Sequence, residues 1–119
     1  MRRDLRLRKS AEFERTRAGG RSWSHPTLVC YASARGDTEP TRVGIIVGRR
    51  VGKAAVRNKV RRRLREAMRA LAPTVYPGQD VVLIARPPAS EASYVDLLGA
   101  LRSLLGRAEL TTGKQPESL

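Results

Sequence analysis

A dense run of cationic side chains occupies the middle of the chain. Nine of the seventeen residues from Arg49 to Arg65 are Arg or Lys, and none of the seventeen is acidic. Guanidinium groups present a planar set of donors that bonds phosphate oxygens bidentately and stacks on bases. The run therefore predicts contact with a polyanion, and its excess of Arg over Lys favours nucleic acid over an anionic membrane surface.

The same run keeps the apolar spacing of an amphipathic helix that ends at Pro73. At about 100° per residue, one side of the helical wheel is apolar: Val56, Val60, Leu64, Ala67, Met68 and Leu71. Another side is polar and cationic: Arg57, Asn58, Arg61, Arg62, Arg65 and Arg69. Most charge runs are solvated surface, but solvated helices intersperse acids at i,i+4, and this one offers only Glu66. Asn58 could bond a base edge or a 2′-hydroxyl, although helix capping or simple exposure explains it equally well.

Two aromatic residues are candidates for contact with unpaired bases. Phe13 lies in a short helix predicted between Ser10 and the Gly19-Gly20 pair, and Tyr31 lies in a predicted strand, residues 27–34. Stacking of a base on such a ring is worth about 1–3 kcal/mol. Core packing is the competing explanation, and from spacing alone it is the stronger one.

Residues for bond-breaking chemistry are not grouped in this sequence. The acidic residues are scattered singly, and the only His, His25, precedes a proline where an exposed loop imidazole is expected. Cys30 has no second soft ligand at a useful spacing and is expected to be a buried thiol. We predict no catalytic residue, no metal site and no cofactor bound by the protein itself.

The composition indicates one strongly basic domain. A formal net charge of +13 on 119 residues is too large to be incidental. Residues 1–110 suit a single domain, and the polar residues 111–119 are expected to form a disordered tail. Residues 1–9 form a basic arm without an apolar signal-peptide core, and no stretch is apolar enough to span a bilayer. These features, together with the single cysteine, favour a reducing cytoplasm.

Along the chain the pattern reads helix, strands, helix, strand, helix, which favours an α+β two-layer sandwich. Residues 27–34 and 42–48 are strands that the polar segment 35–40 is expected to join as a hairpin. Residues 80–86 hold a continuous apolar strand, expected to be central in its sheet. Ser93 and Asp96 form a capping-box-like pair before the last helix.

Residues 42–65 closely resemble the protein subunit of bacterial ribonuclease P. The element Ala55-Val56-Arg57-Asn58-Lys59-Val60-Arg61-Arg62 is similar to the family's Arg-Asn-Arg signature, with Lys59 where a second Arg is usual. Further matches are Arg6-Leu7-Arg8 with Phe13 a few residues on, the strand ending in Tyr31, and residues 80–90. The resemblance covers about residues 6–107.

The resemblance implies an accessory subunit of an endoribonuclease whose catalytic centre is RNA. In that family a large RNA cuts the 5′ leader from precursor tRNA using Mg²⁺, and the small protein binds both RNAs. The implied fold is ribosomal-protein-like, of order α-β-β-β-α-β-α, with a four-stranded sheet and a left-handed βαβ crossover. The general handedness rule would have given the opposite crossover.

The resemblance also implies two RNA-binding sites. The expected contacts with the catalytic RNA are Arg49, Arg50, Lys53, Arg57, Asn58, Lys59, Arg61, Arg62 and Arg65. The expected cleft for the single-stranded leader holds Arg8, Phe13, Arg17 and Tyr31. Arg17 stands where the family often has a second aromatic residue, so the leader contact is expected to be more electrostatic and less stacked.

Three other functions compete with this interpretation. A ribosomal or general RNA-binding protein would share the charge but need no leader cleft, and a DNA-binding regulator would insert the basic helix into a groove. Neither explains an aromatic helix together with a strand tyrosine. A stand-alone nuclease is disfavoured because the carboxylates are scattered. The partners expected are therefore the catalytic RNA and precursor tRNA, without DNA or membrane.

Overall fold

The chain folds in the predicted α-β-β-β-α-β-α order. The structure, a computed structural model, describes residues 10–111 apart from the side chains of Ser10 and Glu12. Its elements are α1 (Ser10–Gly19), β1 (Arg21–Ser24), β2 (Leu28–Ala34), β3 (Arg42–Ile46), α2 (Ala54–Leu71), β4 (Gln79–Ala85) and α3 (Tyr94–Arg107). The predicted arm, residues 1–9, lies outside the described residues, as do residues 112–119 of the predicted tail; Thr111 forms an antiparallel bridge with Val75.

The four strands form one mixed sheet in the order β1-β2-β4-β3. Strand β2 pairs antiparallel with both β1 and β4, whereas β3 pairs parallel with β4. The central position of β4 confirms the prediction from its apolar run. The chain passes from β3 through α2 to β4, and the handedness of this crossover stays a prediction from the family resemblance.

The predicted hairpin between β2 and β3 is wrong, because β4 lies between these strands. The loop that joins them is bonded instead to the segment before β4: Arg35 N–H donates to the Gly78 carbonyl, and Gly78 N–H donates to the Glu39 carbonyl, each at 2.8 Å. A polar loop predicts only that the chain turns back. The most apolar strand then takes the position in which both of its edges are paired and both of its faces are covered.

Helices α2 and α3 cover one face of the sheet and enclose the main core. The sheet contributes Leu28, Cys30, Val43, Val81 and Leu83, and α3 contributes Leu97, Leu101, Leu104 and Leu105. The predicted stripe of α2 is confirmed, since Val60, Leu64, Ala67, Met68 and Leu71 are buried and Val56 is half-buried. Each fully buried Leu or Val contributes about 1.5–3 kcal/mol. Within residues 10–111 no helix is both long and apolar enough to span a membrane.

The predictions of a capping box before α3 and of a buried thiol at Cys30 are also confirmed. Ser93 caps α3: its hydroxyl accepts from the Asp96 N–H at 3.0 Å while the Asp96 carboxylate accepts from the Ser93 N–H at 3.1 Å. Cys30 is a buried free thiol, and burial raises its pKa to about 12. This thiol is therefore held in its unreactive protonated form.

Helix α1 packs on the opposite face of the sheet. Neighbouring residues of a strand point to opposite faces, so Gly44, between the core residues Val43 and Ile45, faces away from α2 and α3. The Phe13 ring lies directly on Gly44, where a Cβ atom would overlap the ring. Thr16, one turn of α1 nearer Tyr31, is 1% exposed. Contact with the backbone of β3 thus holds α1 close to the sheet.

A buried carboxylate joins the starts of β3 and β4. Asp80 is 3% exposed and accepts from Arg35 at 2.7 Å and from Arg42 at 3.0 Å. Arg35 also bonds Asp37, and this hydrogen bond holds the pKa of Asp37 below its usual range. The network fixes the ends of three strands, so these two arginines serve the fold.

Candidate nucleic-acid interface

The exposed side of α2 carries a cationic surface. Lys59, Arg62 and Arg65 are exposed and make no hydrogen bond or ion pair to another residue in the range 10–111. Asn58 lies beside them, also exposed. We call Asn58, Lys59, Arg62 and Arg65 the α2 face. Because the three cationic side chains are not engaged by other described residues, their donors are available to phosphate oxygens.

Three further predicted residues extend this surface beyond the start of α2. Arg49 and Arg50 are exposed in a short 3₁₀ turn, Arg49–Val51, and Lys53 is exposed at the N-cap position of the helix. The side chain of Lys53 forms no capping bond. The first turn of α2 contains no acidic residue, so the positive end of the helix dipole adds to this charge.

The structure differs from the helical wheel at Arg57 and Arg61. Both side chains are half-buried on the flank of α2, and Arg57 Nε is enclosed without a hydrogen bond among the described residues. Arg61 donates to Asn58 Oδ1 at 2.8 Å and approaches the Val47 carbonyl at 3.4 Å. The wheel spreads polar residues over one broad side, but the end of β3 packs along part of it. These two arginines therefore lie between the α2 face and the sheet.

A second surface lies on the other side of the sheet, beside α1. The paired residues Ser22, Tyr31, Val82 and Gly44 form a row across the sheet. Phe13 lies over Gly44 at one end of this row and Arg17 lies over Tyr31 at the other. The structure thus brings three of the four predicted cleft residues together, while Arg8 lies outside the described residues.

Arg17 and Tyr31 form a cation–π pair. The guanidinium carbon of Arg17 is 5.8 Å from the centre of the Tyr31 ring, within the usual range for this interaction. Arg17 is exposed, and one of its nitrogens is 3.9 Å from the exposed Glu14 carboxylate. An exposed cation therefore lies over the Tyr31 ring at this end of the row.

The next row of the sheet provides an apolar floor that the sequence reasoning missed. Val29 pairs with Ile84, and Ile84 pairs with Ile46 on its other side. All three are half-buried and point to the α1 side of the sheet. We call these three residues, with Phe13, Arg17 and Tyr31, the α1 groove. The alternation in β2, with Val29 and Tyr31 opposite Leu28 and Cys30, is the signal that could have located this floor.

The α1 groove and the α2 face meet at the end of β3. Ile46, at one end of the groove floor, precedes Val47, whose carbonyl is approached by Arg61, and Arg61 also donates to Asn58 of the α2 face. A strand of nucleic acid could therefore contact both surfaces without crossing an acidic residue of β3, which has the sequence Arg-Val-Gly-Ile-Ile.

Several other arginines bond the protein's own backbone. Arg63 donates to the Ala92 carbonyl at 2.7 Å, Arg86 to the His25 carbonyl at 3.1 Å, and Arg107 to the Ser24 carbonyl at 2.8 Å. With Arg35 and Arg42, they show that part of the net charge stabilises loops and helix contacts. A count of cations from the sequence therefore overestimates the number available to a polyanion.

The described residues contain no group of three or more His, Cys, Asp or Glu that could hold a metal ion. His25 is half-buried, not exposed as expected, because its Nδ1 accepts from the Thr27 N–H at 3.2 Å and lies 3.0 Å from the Thr27 hydroxyl. It is part of the turn between β1 and β2.

The chain is similar over nearly its whole length to known proteins. Residues 1–109 match the family model described as ribonuclease P. A ribonuclease P protein component from Roseiflexus castenholzii is 41% identical, covering 99% of this chain and 97% of that protein. A solved ribonuclease P protein from Staphylococcus aureus is 28% identical with a TM-score of 0.83, covering 91% of this chain and 98% of that one. A second Staphylococcus aureus structure, 27% identical with a TM-score of 0.83 and 90% of each chain covered, is of a mutant with defective mRNA degradation activity.

Proposed function

The chain belongs to the ribonuclease P protein family, which acts in tRNA 5′ processing, and from that premise we propose that its two surfaces bind two different RNAs. The α2 face, extended by Arg49, Arg50 and Lys53, binds the catalytic RNA. The α1 groove binds the single-stranded 5′ leader of precursor tRNA. The protein thus assists removal of the leader by holding substrate and catalytic RNA together.

The single observation that carries this proposal is that the two surfaces differ in chemistry and still adjoin. The α2 face offers free cationic donors, which suit the phosphates of a folded RNA. The α1 groove offers two rings, a guanidinium and an aliphatic floor, which suit unpaired bases. The bases of a double-stranded ligand are paired and would not be free to stack in the α1 groove.

The chemical step is assigned to the RNA. Among the described residues no three His, Cys, Asp or Glu side chains form a group that could hold a metal ion, and the Mg²⁺ that the reaction uses would be held by the catalytic RNA. We place this work in the cytoplasm, a compartment whose reducing conditions suit the free thiol of Cys30.

The test is the effect of Tyr31→Ala on the reconstituted holoenzyme. Affinity for precursor tRNA should fall by about 1–3 kcal/mol if the ring stacks a base, whereas affinity for mature tRNA should stay unchanged. Tyr31→Phe keeps the ring and serves as the matched control, and thermal melting of each variant shows whether the fold is intact. Equal losses for precursor and mature tRNA in a normally melting variant would remove the groove from the proposal.

Assays of the protein alone test the proposal that the chemical step belongs to the RNA. Purified protein without RNA should leave precursor tRNA and mRNA intact in the presence of Mg²⁺, and addition of the cognate catalytic RNA should restore cleavage at the 5′ end of the mature tRNA. The mRNA substrate is included because one solved Staphylococcus aureus relative is described as a mutant with defective mRNA degradation activity. Cleavage by RNA-free protein that persists through purification would contradict the assignment.

A further inference from the structure

Strand β1 is an edge of the sheet and carries its own aromatic–cation pair. The sheet order ends at β1, so the outer edge of Arg21–Ser24 has no strand partner among residues 10–111. The guanidinium carbon of Arg21 lies 5.0 Å from the centre of the Trp23 ring, and Arg21 is exposed. This geometry is a second stack of a planar cation on a ring, separate from the pair formed by Arg17 and Tyr31.

The Trp23 side chain is held in place by its contacts with the main core. Trp23 is half-buried and packs against the main core, and its partner across the ladder, Cys30, is fully buried. The indole is therefore fixed in place, and the Arg21 side chain that lies over it is exposed. Bases stack on Arg guanidinium planes as well as on aromatic rings, so a rigid platform of this kind suits an unpaired nucleotide.

A second guanidinium lies at the other end of β1. Arg107, at the end of α3, is exposed and donates one nitrogen to the Ser24 carbonyl at 2.8 Å. Its remaining donors make no hydrogen bond or ion pair within residues 10–111, and a phosphate beside a stacked base could accept from them. The two exposed hydroxyls of Ser22 and Ser24 lie along the same strand.

The β1 edge continues the α1 groove. Ser22 pairs with Tyr31, and Ser24 pairs with Val29, so one strand spacing of about 4.8 Å separates the groove from β1. RNA that leaves the groove over Tyr31 meets β1 next. Since β1 is the last strand, the RNA can pass around it to the face that carries Arg21 and Trp23.

We infer that Arg21 stacked on Trp23, with Arg107, forms a further binding site for one unpaired RNA nucleotide, and that it takes a leader nucleotide distal to those in the α1 groove. This inference rests on the proposed leader-binding function of that groove. The competing explanation is that Arg21 only keeps the strand edge from pairing with other strands. That role would require the positive charge of Arg21, but neither its stacking on Trp23 nor binding of RNA.

The experiment measures binding of precursor tRNA to the reconstituted holoenzyme while the leader is lengthened one nucleotide at a time. With the unchanged protein, affinity should keep rising after the nucleotides nearest the cleavage site are present. Arg21→Ala should remove about five- to tenfold of affinity for long leaders and change nothing for short ones. Arg21→Lys keeps the charge but loses the plane, and it should recover only a minor part of the loss.

Two controls make the outcome specific. Arg15→Ala removes one exposed cation from α1, and its effect should be small and independent of leader length. Trp23→Phe keeps a ring and should give an intermediate loss for long leaders, with melting temperature measured beside it. Identical leader-length profiles for Arg21→Ala and the unchanged protein would overturn the inference, as would a loss that is equal at every length. A holoenzyme with unchanged protein that ignores the leader altogether would instead refute the proposed function.

Discussion

Arg62 and Arg63 are adjacent in sequence but differ in what they bond, and this difference gives a sharp test of the α2 face. Arg62 is exposed and makes no bond to another residue in the described part of the chain, whereas Arg63 donates to the Ala92 carbonyl at 2.7 Å. Each substitution by Ala removes one positive charge from the same helix. Only the first should remove a contact with RNA.

The expected magnitudes follow from these contacts. Each phosphate contact contributes up to about 0.9 to the slope of log affinity against log salt concentration, so Arg62→Ala should flatten the slope by up to that amount. A triple substitution of Lys59, Arg62 and Arg65 should flatten it by up to about 2.7. Arg63→Ala should leave the slope nearly unchanged but destabilise the fold by about 1.5–3 kcal/mol, the usual worth of a hydrogen bond from a charged group.

The assay is a titration of the catalytic RNA with each variant over a series of monovalent salt concentrations at fixed Mg²⁺, with thermal melting of each free protein. Arg62→Ala should melt like the unchanged protein because its side chain supports no other residue. Equal changes of slope in the two single variants would show that the RNA responds to total charge, and the assignment of a specific face would fail.

Three other predictions concern the fold that holds these surfaces. Gly44→Ala should lower stability by about 1–3 kcal/mol, the usual cost of overpacking, and weaken leader binding because Phe13 must move; thermal melts and leader affinity check this. Asp80→Asn should cost about 3 kcal/mol by leaving two partly buried guanidinium groups without their shared charge, seen as an earlier midpoint in urea unfolding. Cys30, with its pKa raised to about 12 by burial, should react with alkylating reagents at neutral pH only as fast as the fold opens, so that rapid labelling of the native protein would contradict the burial.

Local patterns predicted the elements that bury a continuous or periodic apolar set. The stripe of α2 and the central position of β4 follow from residue type alone, because the apolar side of the helix and the continuous apolar strand must both be buried away from water. The capping box at Ser93 is equally local, since the bonds join residues three apart.

Features that depend on distant partners were not predictable in this way. The chain reversal after Ala34 was evident, but the insertion of β4 between β2 and β3 depends on pairing across more than thirty residues. The same holds for Arg63, whose partner Ala92 lies far along the chain. The floor of the α1 groove was missed because alternation in a strand shows that there are two faces without showing which helix covers each one.

The contacts of α1 with the sheet have a consequence for how the chain tolerates mutation. A Cβ atom at Gly20 would overlap the carbonyl oxygens of Ala32 and Thr16, and one at Gly44 would overlap Phe13, so both ends of α1 rest on backbone. Gly48, by contrast, has open space where its Cβ would be. In a saturation mutational scan selected for tRNA maturation, positions 20 and 44 should reject every side chain while position 48 accepts many. Positions that do not contact RNA would thus also be intolerant in such a scan, because a side chain at either glycine would overlap the contacts that hold α1 on the sheet.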